Sequence, residues 1–308
     1  MPRFVFARVF RRVFVLGAVI LPNAEASILV TGPESAVYVA PTIYNGSFTN
    51  VLGDQSVATP TWYIAQWSNP QPLTRDILAP AGKDWVAANR TTRIRFYHAP
   101  DAGAQIPEHT YELAQTGAAP KFPLHCGTEY DLFLSATSGN IYASPSGAPA
   151  ASRLAQSGPI GELTVLSMAF GLNIAEENSQ RTCAINYVGY LAAVTLNSTS
   201  GLSMFYQVFL RDSRGDLFNN SSCTGYPANG TYCYSASIEY ITGQGMQLPS
   251  SGRVAYDFNF LHHLVEAISL TRDPDASHWA VTGLYVGQIM QGGMTPASRW
   301  DGIVLRAY

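Results

Sequence analysis

The sequence predicts an all-β protein, a two-sheet jelly-roll-like β-sandwich with one short accessory helix. Apolar and aromatic runs recur about a dozen times, often alternate with polar residues, and are separated by Gly, Pro, Asn and Ser. Such runs are typical of β-strands. A single stretch has a strong helical period, and only 13% of the residues are charged while 12% are aromatic. The composition therefore favours a large core built from strands.

The predicted strands follow one another along the whole chain. They cover residues 28–31, 36–44, 61–67, 91–98, 129–136, 162–170, 186–196, 203–211, 232–241, 254–260, 278–289 and 302–307. The helix is predicted around residues 258–268, where five apolar side chains share one face: Phe258, Leu261, Leu264, Val265 and Ile268.

The stretch "HWAVTGLYVGQIMQGG" contains more glycine than most buried strands, yet it alternates. Strict alternation would place Trp279, Val281, Gly283, Tyr285, Gly287 and Ile289 on one face. Both faces are apolar, which predicts a central strand. The spacing lacks the pattern of a phosphate-binding loop. Glycines within a strand therefore indicate a bulge or a close approach by another group.

The first 26 residues have the layout of a secretory signal peptide. Four arginines precede a nine-residue apolar run at 13–21, and an Ala-Glu-Ala exit follows at 24–26. We therefore predict a secreted, extracellular protein. The apolar run is shorter than the roughly 18 residues that span a bilayer, and no later run is longer, so we predict no transmembrane segment.

The charge of the remaining chain argues against nucleic acid as a partner. Removing four arginines and one glutamate from 18 basic and 21 acidic residues leaves 14 against 20, a formal charge of −6. The whole chain has only two lysines, Lys83 and Lys121. A phosphate backbone requires clustered cations, which this composition does not supply.

Four cysteines in a secreted chain predict two disulfides, and three pairings are open. We favour Cys223–Cys233, which would close a turn-rich segment, and assign Cys126–Cys183 by elimination. Six Asn-x-Ser/Thr sequons are compatible with a glycoprotein: Asn45, Asn89, Asn197, Asn219, Asn220 and Asn229.

The segment 143–159 is nearly all small residues and proline and is either a long surface loop or a linker. We predict one sandwich domain over 27–308, since all-β domains of this size are routine. The alternative is two sandwiches divided near 143–159.

The closing pattern of Trp279, then "GLYVG" (283–287), then "GIVLRAY" (302–308), resembles the last strands of the concanavalin A-like lectin/glucanase class of jelly-roll sandwiches. The resemblance covers the strand rhythm and about the last fifty residues. It implies that a polysaccharide or another glycan is the partner. Glucanases of this class carry two carboxylates on one sheet, whereas the corresponding strand here carries Gln288.

Aromatic side chains next to amides are the candidates for glycan binding, because sugar rings stack on flat faces while their hydroxyls need polar partners. The predicted binding residues are Trp62, Trp67, Trp279, Tyr285 and Gln288. The alternative is that these aromatic residues belong to the core.

Hydrolysis of a glycosidic bond needs an acid together with a base or nucleophile. The strand-borne candidates are Glu239, Asp212, Asp257 and Glu129, and we identify no carboxylate pair spaced i, i+2 on one strand. Without such a pair, solvated or ion-paired carboxylates are the favoured interpretation, and the sequence leaves open whether the protein is an enzyme.

We predict no cofactor and no metal. The loop with Asp273, Asp275 and His278 offers ligands for Ca²⁺, but Asp-Pro-Asp is also an ordinary turn. The sequence thus favours a secreted, lectin-like glycan-binding protein. The alternatives are a glycoside hydrolase of the same fold, using Glu239 with Asp212 or Asp257, and a non-catalytic surface or adhesion protein.

Overall fold

The structure is a computed structural model that describes most of the chain after residue 26. The described residues are 27–33, 36–39, 50–53, 62–69, 73–75, 84–97, 100–103, 105–117, 124–137, 157–181, 183–223, 227, 229–244 and 252–308. The signal-peptide prediction, the sequon at Asn45 and residues 143–156 lie outside the described residues.

Seventeen strands and two α-helices are described. The strands are β1 (Ser27–Thr31), β2 (Ala36–Val39), β3 (Asn50–Gly53), β4 (Trp62–Trp67), β5 (Thr74–Arg75), β6 (Trp85–Ala88), β7 (Thr92–Tyr97), β8 (Thr110–Gln115), β9 (Glu129–Thr137), β10 (Leu166–Arg181), β11 (Tyr187–Ser198), β12 (Ser203–Asp212), β13 (Ser221–Ser222), β14 (Thr231–Ser237), β15 (Gly252–Asn259), β16 (Trp279–Gln291) and β17 (Gly293–Ala307). The helices are α1 (Ile238–Thr242) and α2 (Leu261–Ser269), and two short 3₁₀ turns cover Ile160–Glu162 and Ala276–His278.

The strands form two sheets, as the all-β prediction requires. The eight-stranded sheet A has the order β15-β10-β17-β8-β7-β6-β5, with β1 also paired to β17. The nine-stranded sheet B has the order β13-β14-β12-β11-β16-β9-β4-β2-β3. The predicted sandwich is therefore confirmed. Both sheets combine strands from before and after 143–159, and the number of independently folding units stays a prediction.

The space between the sheets holds the main hydrophobic core. Its largest fully buried side chains include three tryptophans, Trp62, Trp279 and Trp300. The indole nitrogen of Trp62 donates to the carbonyl of Thr31 at 2.7 Å, and that of Trp279 donates to the carbonyl of Asp273 at 2.8 Å. Each of these two rings therefore keeps its polar atom satisfied while its apolar surface is buried.

Both expected disulfides are present. Cys126–Cys183 connects the turn before β9 with the segment between β10 and β11, and Cys223–Cys233 connects the end of β13 to β14. The described part of the chain contains no helix that is long and apolar enough to cross a membrane.

Several local predictions differ from the structure, and three of them bear on the elements described below. The strand predicted at 232–241 ends at Ser237, where α1 begins. The accessory helix is α2, but Phe258 lies on β15 and Val265 is exposed, because the buried face is formed by Leu264, Ala267 and Ile268. Strand β8, "TYELAQ", was not predicted, since a charged residue interrupts its short apolar pattern.

The strict alternation predicted for β16 is wrong. The pairing of β11 with β16 shifts register between Thr195 and Leu196. Thr195 pairs with Gly283 and Leu196 pairs with Val281, so Thr282 has no partner on β11 in this register. Because a bulge moves the following side chains to the other face, Trp279 points into the core while Tyr285 points away from sheet A. The glycine-rich stretch is a central strand of sheet B with a bend near Thr282.

Candidate cleft on the outer face of sheet B

A cleft of about 660 Å³ lies on the outer face of sheet B, the face turned away from sheet A. Seven strands and the turn after β12 contribute to its lining. The lining residues are Trp67, Ser68, Glu129, Asp131, Phe133, Tyr187, Thr195, Phe205, Gln207, Phe209, Arg214, Phe218, Ser221, Ser222, Cys223, Cys233, Ser235, Tyr285 and Ile289. The volume is in the range of small-molecule and cofactor sites.

Aromatic rings form much of the cleft surface. The Trp67 ring meets Phe133 edge-on at 5.6 Å between centroids and lies tilted against Tyr285 at 6.0 Å. Phe205 meets Tyr285 edge-on at 5.5 Å. These contacts give the rings fixed orientations, which makes them suitable platforms for a flat apolar ligand surface.

Glycine at 287 allows β16 to run close to β9 beneath these rings. A Cβ atom at Gly287 would lie 2.2 Å from the carbonyl oxygen of Leu132 and 2.8 Å from the Cα of Phe133. Both atoms belong to the backbone of β9 and cannot move aside. The sequence prediction of a close approach at this strand glycine is therefore confirmed.

Glu129 and Asp131 occupy alternate positions of β9 and both line the cleft. Two residues along a strand span about 6.5 Å between Cα atoms, and side chains at i and i+2 share a face. Asp131 is half-buried, and in register it is flanked by Trp67 on β4 and Ile289 on β16. Its Oδ1 atom is buried and has no hydrogen-bond partner among the described residues.

The surroundings of the two carboxyl groups change their acidity. Burial beside apolar neighbours, together with the negative charge of Glu129, raises the pKa of Asp131 to about 8. Partial removal from water also raises the pKa of Glu129. Arg214 opposes that rise and Asp212 adds to it. A pKa of about 8 favours the protonated form of Asp131 at neutral pH.

Glu129 has a hydrogen-bond donor within the cleft. The hydroxyl of Tyr187 on β11 donates to the Glu129 carboxylate. The guanidinium carbon of Arg214 lies 4.0 Å from the centre of the Tyr187 ring. Arg214 also pairs with the fully buried carboxylate of Asp212 at 2.5 Å. These contacts connect the turn after β12 to the carboxylate on β9.

The wall opposite β9 is polar and contains a disulfide. The side-chain amide of Gln207 on β12 donates to Ser235 at 3.0 Å and lies 3.1 Å from the Cys223 sulfur. Ser221 and Ser222 of β13 complete this wall. Hydroxyl and amide groups there can exchange hydrogen bonds with a polar ligand.

The structure separates the predicted binding residues into two groups. Trp67 and Tyr285 line the cleft. Trp62 and Trp279 lie in the core between the sheets, so they cannot contact a ligand in the cleft, and this part of the prediction is wrong. Gln288 is also buried on the inner side, where it accepts from Ser298 at 2.7 Å and donates to Gln115 at 3.2 Å.

The predicted carboxylates are dispersed, apart from Glu129. Asp212 lies next to the cleft, but its side chain is fully buried and engaged by Arg214. Asp257 is exposed on β15 of sheet A and pairs with Arg306. Glu239 lies on α1, because the predicted strand ends before it. The expected pairing of Glu239 with Asp212 or Asp257 stays a prediction.

The calcium candidates form a hydrogen-bonded loop of their own. His278 Nδ1 lies 2.8 Å from Asp273, which also accepts from Ser200 at 2.6 Å, and Asp275 accepts from Ser277. Among the described residues, no group of three or more His, Cys, Asp and Glu side chains is arranged to hold a metal ion. The absence of a cofactor stays a prediction.

Sequence reasoning missed Asp131, Tyr187 and Arg214. The i, i+2 spacing of Glu129 and Asp131 in "EYDLF" could have revealed the first. The other two carry no comparable pattern, because Tyr187 and Arg214 are separated from Glu129 by 58 and 85 positions and meet it only through the sheet.

Comparison with known proteins shows no family for this chain. No family model matches the chain, and no curated protein matches it. Among solved structures, a family 12 xyloglucanase from Bacillus licheniformis aligns with 79% of this chain and 100% of its own, at a TM-score of 0.41 and 10% identity. An endoglucanase from Rhodothermus marinus covers 77% of this chain and 96% of its own, at 0.40 and 8%.

A xyloglucanase domain of a type three effector from Sinorhizobium fredii, solved with cellobiose, covers 77% of this chain and 92% of its own, at a TM-score of 0.38 and 7% identity. Each of these alignments covers more than three quarters of this chain. At these identities the likeness concerns the fold alone.

Proposed function

We propose that the protein is a glycoside hydrolase that binds a glycan chain in the cleft and cleaves it with Asp131 and Glu129. The observation that carries this proposal is the placement of both carboxyl groups on one face of β9, next to the ring of Trp67. A protonated acid beside a more acidic carboxylate is the combination that glycosidic cleavage requires.

In the proposed reaction, the Asp131 carboxyl donates its proton to the glycosidic oxygen as the bond from that oxygen to the anomeric carbon breaks. Glu129 either accepts a proton from the water that attacks this carbon or first bonds to the carbon itself. Water supplies the hydroxyl group of the new reducing end, and Asp131 regains a proton. The net change is the addition of one water molecule across the bond.

A second candidate is glycan binding without cleavage, which the sequence favours. One observation supports it: in the described part of the cleft, the wall opposite β9 presents Gln207 and serines rather than a carboxylate. The presence of Asp131 beside Glu129 favours hydrolysis, because glycosidic cleavage needs two carboxyl groups and simple binding does not.

The test incubates the full-length protein with a panel of soluble polysaccharides and measures both binding and the release of reducing ends. We expect Asp131→Asn and Glu129→Gln each to lower product release by at least about a hundredfold while binding persists. Asp257→Asn is the matched control, since Asp257 is an exposed carboxylate on the other sheet. The control should keep full activity.

Binding without product release from the unaltered protein would support the second candidate. Neither binding nor release on any polysaccharide would contradict both. Following the anomeric configuration of the first product by NMR distinguishes the two roles of Glu129, because a bonded intermediate retains the configuration and direct attack by water inverts it.

We further propose that the protein acts outside the cell. The two disulfides support this, because such bonds persist in oxidising compartments. Detection of the protein in the medium, and its loss when residues 1–26 are deleted, tests secretion independently of activity.

A further inference from the structure

A continuous series of contacts leads from a buried carboxylate to Glu129. The Asp212 side chain is fully buried and accepts from the backbone nitrogen of Arg214 at 2.8 Å and from its Nε at 3.0 Å. The Arg214 guanidinium then covers the ring of Tyr187 at 4.0 Å, and the Tyr187 hydroxyl donates to Glu129. Three separate segments of the chain therefore meet at one carboxylate.

The turn that carries Arg214 is itself anchored to β11. The Ser213 nitrogen donates to the Val188 carbonyl at 2.9 Å, and the Val188 nitrogen donates to the Ser213 hydroxyl at 2.9 Å. Ser213 precedes Arg214, and Val188 follows Tyr187. The two hydrogen bonds between Ser213 and Val188 therefore hold the Arg214 guanidinium over the Tyr187 ring. The positions of Arg214 and Tyr187 are therefore fixed by hydrogen bonds between the turn and β11, and not by one flexible side chain.

Arg214 is poorly suited to bind a ligand anion directly. Its guanidinium is already paired with Asp212 and lies 3.1 Å from Asp216. Because these two carboxylates fix the position of the guanidinium, it has little freedom to turn toward a ligand anion. It holds Tyr187 in place and adds positive potential beside Glu129.

We propose that Arg214 and Tyr187 form a positioning pair that orients the Glu129 carboxylate and stabilises its negative charge beside Asp131. This inference rests on the proposed function for its catalytic meaning, although the arrangement itself can be measured without a substrate. Asp212 acts one step further away, as the buried anchor of Arg214.

The cross-strand neighbours of the two carboxyl groups are uncharged. In register, Gln291 of β16 lies beside Glu129, and Ile289 lies beside Asp131. Trp67 flanks Asp131 from β4. Among the described residues, the charges near this pair are therefore those of Asp212, Arg214 and Asp216, together with the two carboxyl groups themselves.

Carboxyl titration by ¹³C NMR tests the proposal on the full-length protein. Asp131→Asn and Glu129→Gln identify the two resonances by their loss. In Tyr187→Phe, which keeps the ring beneath Arg214 but removes the hydroxyl, we expect the titration midpoint of Glu129 to rise by about half a pH unit or more. In Arg214→Gln we expect a rise of about one unit.

Arg253→Gln is the matched control, because Arg253 forms a similar ion pair with Asp301 on sheet A, at 2.6 Å. It should leave both midpoints unchanged. Arg214→Lys keeps the charge but loses the planar contact with the ring, so its midpoint for Glu129 should lie between those of the unaltered protein and Arg214→Gln.

An unchanged Glu129 midpoint in Tyr187→Phe overturns the proposal, and this variant decides alone where Arg214→Gln does not fold. Shifted midpoints in a protein that cleaves no glycan would support the positioning pair and contradict the proposed hydrolysis. Cleavage of a glycan with unshifted midpoints would support the proposed hydrolysis and contradict the positioning pair. Where cleavage occurs, the acidic limb of its pH profile should move upward with the Glu129 midpoint.

Discussion

Trp67 and Asp131 lie directly opposite each other on the neighbouring antiparallel strands β4 and β9. The indole therefore flanks the carboxyl group while its own orientation is held by Phe133 and Tyr285. One residue can in this way serve two purposes: its face offers a platform for a sugar ring, and its bulk keeps water from Asp131. The two effects can be separated by experiment.

Replacing Trp67 with alanine should weaken glycan binding and lower the pKa of Asp131, because water gains access to the carboxyl group. We expect a loss of about tenfold or more in affinity, which corresponds to about 1.4 kcal/mol. Calorimetric titration with a polysaccharide that binds the unaltered protein measures the affinity. NMR titration of the Asp131 carboxyl group measures its pKa. Trp85→Ala, on sheet A, is the control, and equal losses in both variants would contradict a role for Trp67 in the cleft.

Cleavage should decline as the pH rises through about 8, the pKa of Asp131, because the deprotonated carboxylate cannot donate a proton to the leaving oxygen. It should also decline in acid, where Glu129 becomes protonated. The dependence of kcat/KM on pH in the free enzyme measures both limbs. An alkaline limb that persists unchanged in Asp131→Asn would exclude Asp131 as the acid.

Stability gives a second measure of the same carboxyl group. The pKa of Asp131 is higher in the folded chain than its ordinary value of 3.8, so ionisation costs stability as the pH rises between 3.8 and about 8. Asp131→Asn should therefore stabilise the protein by about 1–3 kcal/mol above pH 8 and have little effect below pH 3.8. Denaturant unfolding across this range tests the sign. A stabilisation by Asp131→Asn that is greatest in acid would contradict a raised pKa of Asp131.

Gly287→Ala should destabilise the protein by roughly 1–3 kcal/mol or more, because the new Cβ would overlap the backbone of β9. Gly158→Ala is a suitable control, since a Cβ there meets no atom within 4 Å. Thermal unfolding of both variants measures the difference. Similar melting temperatures would show that β16 and β9 can separate without cost.

The two disulfides should differ in their effect on the cleft. Cys126–Cys183 closes 57 positions and Cys223–Cys233 closes 10, so loop entropy predicts losses of about 4 and 3 kcal/mol respectively when each is replaced by serine pairs. Only the second lines the cleft and contacts Gln207. Glycan affinity should fall in Cys223→Ser/Cys233→Ser alone, and equal affinity in both variants would argue against a ligand contact at that wall.

The overlapping sequons at Asn219 and Asn220 should accept only one glycan when the protein passes through a eukaryotic secretory pathway. Asn219 is exposed, whereas the Asn220 side chain is buried and bonded to Tyr206 at 2.8 Å and to the His263 carbonyl at 3.0 Å. Peptide mass spectrometry should find the modification at Asn219. A glycan on Asn220 would show that modification precedes folding of this turn.

Local sequence patterns are sufficient to predict the all-β architecture and the central place of β16. Alternation and turn residues act over a few positions, so strands such as β12 and β16 are encoded locally. The cysteine pattern was also sufficient to favour the observed pairing. The sequence did not reveal β8, whose "TYELAQ" buries Glu112 against Arg299 on β17, a partner 187 positions away.

Which residues share the cleft depends on how the whole chain folds. A register shift near Thr282 turns Trp279 toward the core between the sheets and Tyr285 toward the outer face of sheet B. No local sequence pattern predicts this shift. Likewise Glu129, Tyr187 and Arg214 meet because β9, β16 and β11 are neighbours in sheet B. Strand order is set by the packing of the whole sandwich. The strand order therefore determines which side chains meet in the cleft. The alternating pattern of a single strand indicates only which of its residues share a face.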